Sequence, residues 1–394
     1  MVTAGGLDVV MISFDGSLVT DPQGESRRRH ARLAELAGRL RIIAPARPGH
    51  PACIEVSPQL QIYPSGSRST ALFPLDALRV AARLSGPVDL IVTQDPFLTG
   101  WVGARLRRRW GAPLLAQDHF TIFDNTAWLA EHPVRNRALL WLARWVLART
   151  DMLRTVSDAG LQGAVRAGFP AERARVLPLG TASASFAQPA GPERLAALRA
   201  QLGIAPAAPV ALWVGRNAPQ KRLPLLFESF ARIHAVLPAA RLVLVGDLPA
   251  SLRELAVQRG LADAVVFAGR VPFDALPAYY QMAALFLLTS AYEGSPRVLM
   301  EAGAAGIPAV CAGAGGTREL IVHGETGWFV EDGPALAQRL ADSALALLGD
   351  SARAAQMGAA AQARALALYS AERYPERWAA LWREAAAAGM RGAR

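Results

Sequence analysis

Two short stretches of the second half hold the residue types most able to do chemistry. In the first, Glu293 and Glu301 stand with seven residues between them: Gly294, Ser295, Pro296, Arg297, Val298, Leu299 and Met300. Phe286, Leu287 and Leu288 end an apolar run before it. Ser295 fits a helix N-cap, Pro296 fits the first helical position, and Gly306 with Pro308 ends the helix. Glu293 is thereby expected on the loop at the open mouth of a helix and Glu301 about one and a half turns inside it. Free N–H groups and the helix dipole favour a phosphate at such a mouth, and carboxylates accept from sugar hydroxyls. In the second stretch, Arg216 and Lys221 sit on one loop between a strand and a helix. Arg offers a planar fork and Lys a point charge, so the two suit one diphosphate. Lys221 is the only lysine in the chain.

These residues need elements to hold them. In the first half, strands are expected at 7–13, 40–45, 89–93 and 113–117, with helices at 25–37, 75–84 and 98–110. In the second half, strands are expected at 210–214, 241–245, 265–271 and 309–311, with a helix at 224–236 and helical sequence from 336 onward. Strands alternating with helices imply doubly wound parallel sheets, which bind ligands beyond the carboxyl ends of their strands. Gly24, Asp95 and Asp118-His119 fall in such loops, where Asp95 and Asp118 can equally cap a helix or turn. His119 is either an active-site histidine or a loop histidine with a structural hydrogen bond. Thr317 is expected to cap a short helix after a glycine loop that lacks the dinucleotide fingerprint. Residues 135–150 carry Trp141, Trp145 and several arginines, and fit either a helix on an anionic membrane or a core helix with arginines at its edges. Residues 182–209, rich in Ala, Pro and Gly with one short helix around 193–202, are expected to connect two domains.

A chain of 394 residues is too long for one ordinary core. Its hydrophobic content of 52% and charged content of 19% describe a folded protein. The formal charge is +10, concentrated in the first half, which suits an anionic partner or an Arg-rich soluble surface. Cys53 and Cys311 lack metal or redox spacing. Without a basic leader or an uninterrupted apolar span, a cytoplasmic protein is expected, with peripheral membrane contact through the basic first half.

The Glu293–Glu301 stretch, followed by Ala-Gly-Ala-Ala-Gly-Ile-Pro, resembles the signature of family 4 retaining glycosyltransferases, and the Arg216/Lys221 spacing matches that family's phosphate-binding pair. The resemblance implies two facing Rossmann-like domains with a cleft between them, called GT-B. They would comprise an acceptor domain at 1–181, a linker at 182–209, a nucleotide-sugar domain at 210–370 and a final helix at 371–394 returning to the first domain. It also implies metal-independent transfer of a sugar from a nucleotide-diphosphate sugar to a saccharide or lipid-linked acceptor, with no nucleic acid involved. The implied catalytic set is His119, Arg216, Lys221 and Glu293. Gly24, Gly269, Arg270, Val271, Glu293, Glu301 and the groups at Gly294, Ser295, Arg297, Val298 and Leu299 would hold the donor. The chain departs from the family in two places. Asp21-Pro-Gln-Gly24 lacks a glycine pair, and Thr181-Ala182-Ser183 stands where an acidic residue is expected. A nucleotide-sugar 2-epimerase and a noncatalytic nucleotide- or lipid-binding protein are the alternatives.

Overall fold

Apolar runs such as Leu7–Ile12 and Val210–Val214 are buried along their whole length, as parallel strands covered on both faces must be. The computed structural model describes residues 6–313 and 315–391. It divides into two units, one formed by Met1–Pro178 with Glu372–Arg394, the other by Leu179–Ala371.

The first unit contains β1 (Leu7–Ile12), β2 (Gly38–Ala44), β3 (Ile54–Glu55), β4 (Leu60–Pro64), β5 (Leu90–Thr93), β6 (Leu114–Asp118), β7 (Met152–Thr155) and β8 (Ala174–Val176). Their order is β3-β4-β2-β1-β5-β6-β7-β8, parallel except for the β3–β4 pair at the edge. The chain runs outward from β1 to β4 and then returns to β5 on the other side of β1. The order therefore reverses between β1 and β5. One face of the sheet is covered by helices Glu25–Ala37 and Tyr374–Arg391, which bring Leu33, Trp378 and Trp382 onto Val9, Met11 and Leu40. The other face is covered by Phe73–Ala81, Leu98–Trp110 and Pro133–Leu147. Trp382 is fully buried, and truncating such a side chain to alanine typically costs about 3–5 kcal/mol.

The second unit contains β9 (Val210–Val214), β10 (Arg241–Val245), β11 (Val265–Gly269), β12 (Leu285–Leu288), β13 (Ala309–Ala312) and β14 (Gly327–Val330). The order is β11-β10-β9-β12-β13-β14, and every pairing is parallel. Here the order reverses between β9 and β12. Along β9, Val210, Leu212 and Val214 enter one core while Ala211 and Trp213 enter the other, as the two-residue period of a strand requires.

Residues 182–209 are not a free linker. Helices Ser183–Ala187 and Pro192–Gln201 belong to the second unit and pack on Leu276–Gln281. Phe186 anchors them, fully buried and edge-on to Tyr280 at 5.3 Å. The strands β3, β4, β8 and β14 are additions to the expected set, all short, while β7 is the strand that the run closing at Thr155 predicts.

Candidate functional site

A sheet whose strand order reverses leaves a crevice beyond the carboxyl ends of the two strands at the reversal. In the second unit these are β9 and β12, and the loops leaving them carry Arg216 to Arg222 and Thr289 to Pro296. The loops are sewn together. Ala291 N donates to the Gln220 carbonyl at 2.7 Å and the Thr289 hydroxyl donates to the Lys221 carbonyl at 2.8 Å. Arg222 holds a left-handed backbone with φ 47°. Its guanidinium donates to the Thr289 and Ser290 carbonyls at 2.6 and 3.0 Å and grips both carboxylate oxygens of Asp332 at 2.9 and 3.0 Å.

This stitching sets Lys221 against Glu293. Lys221 Nζ lies 2.6 Å from Glu293 Oε1, and the Ser290 hydroxyl donates to the same oxygen at 2.7 Å. Both side chains are largely buried, at 14% and 15% exposure. The Glu293 main chain is fixed as well, because its carbonyl accepts from Gly316 N at 3.0 Å. Gly315 approaches that carbonyl so closely that a Cβ would lie 2.6 Å away, and its φ of 50° disfavours any other residue.

The helix after Glu293 runs Arg297–Ala304, with Pro296 as its extended N-cap. Ser295 is therefore outside the helix and caps nothing. Its hydroxyl is buried without a partner among the described residues. Leu299 N donates to the Pro296 carbonyl at 3.0 Å, and its side chain lies in the core. Val298 likewise packs its side chain on that core. Gly294 is buried and Arg297 is half-buried at the helix mouth. Glu301 faces inward, and its Oε2 accepts from the Tyr280 hydroxyl at 2.8 Å. Burial and the Glu301 carboxylate push that hydroxyl well above its ordinary range, so it stays a donor.

Arg216 is exposed at the end of β9, with no partner among the described residues. The ends of β9, β10 and β11 converge through glycines. Gly215 N donates to the Val245 carbonyl at 3.0 Å, and Gly246 N donates to the Gly269 carbonyl at 2.8 Å. A Cβ on Gly246 would lie 2.0 Å from the Gly215 carbonyl oxygen. Arg270 is exposed beyond this row and Val271 is half-buried against the core. Thr317 does not cap its helix. Gly316 takes that position and the Thr317 hydroxyl is buried without a partner among the described residues, while Ala314 of that loop lies outside them.

In the first unit, the loop after β1 runs to Gly24, which caps helix Glu25–Ala37. A Cβ on Gly24 would meet an Asp21 carboxylate oxygen at 2.6 Å. Asp15 in the same loop accepts from the Ser17 and Ser26 hydroxyls. Burial raises its pKa, but these bonds outweigh burial and hold the carboxyl below its usual range. Asp95 and Asp118 are turn-formers: Asp95 accepts from Phe97 N at 2.7 Å, and Asp118 accepts from Phe120 N at 3.1 Å and Ile122 N at 3.2 Å. Burial pushes Asp118 up to about 6 against those bonds.

His119 follows β6 directly. Its Nδ1 lies 3.5 Å from Nη1 of Arg154 on β7. A guanidinium only donates, so Nδ1 accepts and the proton rests on Nε2. Burial and the charges of Arg154 and Arg29 lower this imidazole to about 3. Arg154 is itself fully buried. It donates to the Leu177 carbonyl at 2.8 Å, Gln117 Oε1 at 3.2 Å and the Tyr374 hydroxyl at 3.3 Å, and lies over the Trp378 ring. Sequence reasoning missed it; the available signal was an arginine inside the short strand Met152–Thr155.

Two doubly wound α/β units, each with polar and charged loops at its reversal point, define a two-domain α/β protein. Comparison narrows the class. Residues 3–180 match the glycosyl transferase 4-like domain and residues 196–364 match glycosyl transferases group 1. The chain belongs to this glycosyltransferase family. It is 32% identical over 326 residues to a D-inositol 3-phosphate glycosyltransferase of Nocardia farcinica, covering 79% of this chain and 71% of that protein. It is 34% identical to a GDP-mannose-dependent alpha-(1-6)-phosphatidylinositol monomannoside mannosyltransferase of Mycobacterium tuberculosis, covering 57% of this chain and 60% of that one. Sucrose-phosphate synthase from Thermosynechococcus elongatus superposes with a TM-score of 0.80 at 25% identity, covering 97% of this chain and all of that chain. Anabaena HepE, solved with UDP and glucose, has the same fold, with a TM-score of 0.73 at 21% identity over 95% of this chain and 99% of that one. The protein is therefore a glycosyltransferase, and the epimerase and noncatalytic alternatives fall away.

Proposed function

We propose that this glycosyltransferase takes its sugar from a nucleoside diphosphate sugar, retains the anomeric configuration and needs no divalent cation. The observation that carries the reading is the Lys221–Glu293 pair at the β9–β12 reversal, beside the unpartnered Ser295 hydroxyl and the start of helix Arg297–Ala304. The arriving diphosphate takes over the Lys221 ammonium and Arg216. The N–H groups at the helix mouth and the Ser295 hydroxyl complete its cradle. Glu293, released from the ammonium, accepts from donor sugar hydroxyls, and Glu301 accepts from the ribose. Gly269, Arg270 and Val271 contact the base through their main chain. As the bond from the anomeric carbon to the phosphate oxygen breaks, its electron pair stays on the diphosphate, where these fixed positive groups stabilise it. On the face the diphosphate leaves, the acceptor oxygen bonds to the anomeric carbon and passes its proton to the departing phosphate oxygen. His119 enters as a neutral imidazole whose Nε2–H can donate to a hydroxyl.

HepE was solved with UDP and the mycobacterial relative is named for GDP-mannose, so both bases belong in the test. Thermal-shift screening of uridine, guanosine and adenosine diphosphate sugars is expected to show stabilisation by one of them. Turnover of that donor onto saccharide or lipid-linked acceptors should persist in a chelator and yield a product of retained configuration. Loss of turnover in chelator, or an inverted product, rejects the mechanism.

A further inference from the structure

The loops that leave the carboxyl ends of β9, β12, β13 and β14 are tethered to one another in a closed ring. Arg222, after β9, donates to the Thr289 and Ser290 carbonyls after β12 and to both carboxylate oxygens of Asp332 after β14. Arg318, in the short helix Thr317–Leu320 that follows β13, pairs with Glu331, the neighbour of Asp332, and lies over the Phe329 ring at 5.1 Å. Gly316 N, just before that helix, donates to the Glu293 carbonyl at 3.0 Å and brings the ring back to the loop after β12. Lys221 directly precedes Arg222, and Glu293 lies just beyond Ser290. Both members of the ion pair therefore stand on the ring.

Two features separate this ring from ordinary packing. The first is backbone strain. Arg222 holds φ 47° and ψ 50°, and Ala335, which closes the loop bearing Asp332, holds φ 54°. A left-handed backbone strains any residue with a Cβ, whereas glycine adopts it freely. An arginine kept at such a position serves through its side chain, and strain of this kind gathers at working sites. The second is exposure. The Asp332 side chain is 51% and that of Glu331 64% exposed, so their ion pairs add little to stability. What the two-pronged grip of Arg222 on Asp332 supplies is direction. We propose that Arg222 and the consecutive carboxylates Glu331 and Asp332 are positioning residues for sugar transfer. They hold Lys221 and Glu293 at the separation that a donor's diphosphate and sugar require, and they touch neither substrate. A misplacement of about 1 Å in such groups costs on the order of a hundredfold in rate. The inference rests on the proposed reading of Lys221 and Glu293 as donor-binding groups.

The test is steady-state turnover of the whole chain with the donor that thermal-shift screening selects, expressed per folded molecule. Arg222→Gly supplies the left-handed backbone without the guanidinium. If residue 222 served the turn alone, glycine would do as well. The expected result is a kcat at least tenfold lower with a donor KM changed by less than about threefold. Asp332→Asn leaves the two carbonyl bonds of Arg222 in place and should lower kcat about fivefold, Asp332→Glu should restore part of that loss, and Glu331→Gln combined with Asp332→Asn should reach the tenfold loss. The control Arg232→Gln, an exposed arginine on the helix that follows Arg222, should leave kcat unchanged. Parent kcat in Arg222→Gly overturns the proposal, and so does a loss that appears wholly in KM. If the glycine variant folds poorly, parent kcat in folded Asp332→Asn overturns it equally. Parent turnover in Lys221→Met as well would reject the donor-binding reading itself, whereas parent turnover confined to the Arg222 and Asp332 variants rejects this inference alone.

Discussion

The ammonium of Lys221 and the carboxylate of Glu293 meet at 2.6 Å across two loops that are far apart in sequence and side by side in space. Neither is fully wet, so each compensates the other's burial. Lys221→Met and Glu293→Gln are each expected to lower kcat/KM for donor turnover about a hundredfold or more. Each should also destabilise the second unit by ~3 kcal/mol, because an uncompensated buried charge remains. The double variant should fall little further than either single one, since the residues act as a unit. Steady-state rates and urea midpoints check this, and additive losses would show that the two work separately.

Tyr280 supplies a hydrogen bond to buried Glu301 at 2.8 Å. Tyr280→Phe keeps the ring in its aromatic cluster and removes only the donor. The expected loss is about 1–3 kcal/mol of stability, with weaker donor affinity and a smaller change in kcat. Calorimetry on the preferred donor reads the affinity. Unchanged affinity would detach Glu301 from the ribose.

Gly315 admits no side chain beside the Glu293 carbonyl. Gly315→Ala should displace that loop and depress turnover at least tenfold, by analogy with the loss that follows small misplacements of catalytic groups. Circular dichroism should report a retained fold. Full activity in the variant would show that the loop tolerates displacement.

The first unit should lose stability in acid. Burial with Arg29 lowers His30 to about 4, and burial with Arg154 lowers His119 to about 3, from an ordinary 6.5. As pH falls below 6.5, the unfolded chain takes up protons that the folded chain refuses, so each imidazole removes stability on the way down. Asp118, held up at about 6, acts oppositely between 6 and 3.8, where the folded form keeps a proton the unfolded form has lost. Asp8 and Asp95, also raised by burial, act in the same sense as Asp118. The limb is thus a balance, best read through differences. His119→Gln should flatten it below pH 6.5, and Asp118→Asn should steepen it below pH 6. Urea midpoints across that range provide the check, and overlapping curves would contradict the assignment.

Arg154 sets the state of His119. Arg154→Met removes the guanidinium beside Nδ1, and the imidazole should then protonate at higher pH than in the parent, with its tautomer no longer fixed. Nitrogen-15 shifts of the ring report both, and Arg154→Lys preserves a charge if the methionine variant folds poorly. Identical ring shifts in parent and variants would remove Arg154 from this role.

The elements that carry the second unit's candidate residues were legible, because those residues stand in short runs at strand and helix boundaries. The spacing of Glu293 and Glu301 and the cations at 216 and 221 each fall at a strand end, where periodicity marks the boundary. What was not legible depends on packing at a distance. Ser295 looks like a cap, yet Pro296 adopts an extended backbone, ψ 107°, and pushes the helix start to Arg297. The composition of 182–209 suggests a connector, and only the burial of Phe186 reveals a folded part of the second unit. Arg154 could not be singled out, since its partners Gln117, Leu177 and Tyr374 come from three separate parts of the chain. The pairing of Lys221 with Glu293 was equally hidden, because each alone suggested a ligand of its own.

Arg222 leaves little freedom for the backbone around it. Its guanidinium pins the chain at Thr289, Ser290 and Asp332 while its main chain starts the helix Leu223–Val236. These bonds tie the loops leaving β9 and β12 to each other and to Asp332. On the proposed reading, handing the ammonium from Glu293 to an arriving diphosphate requires rotation about a few side-chain bonds, an event of picoseconds to nanoseconds.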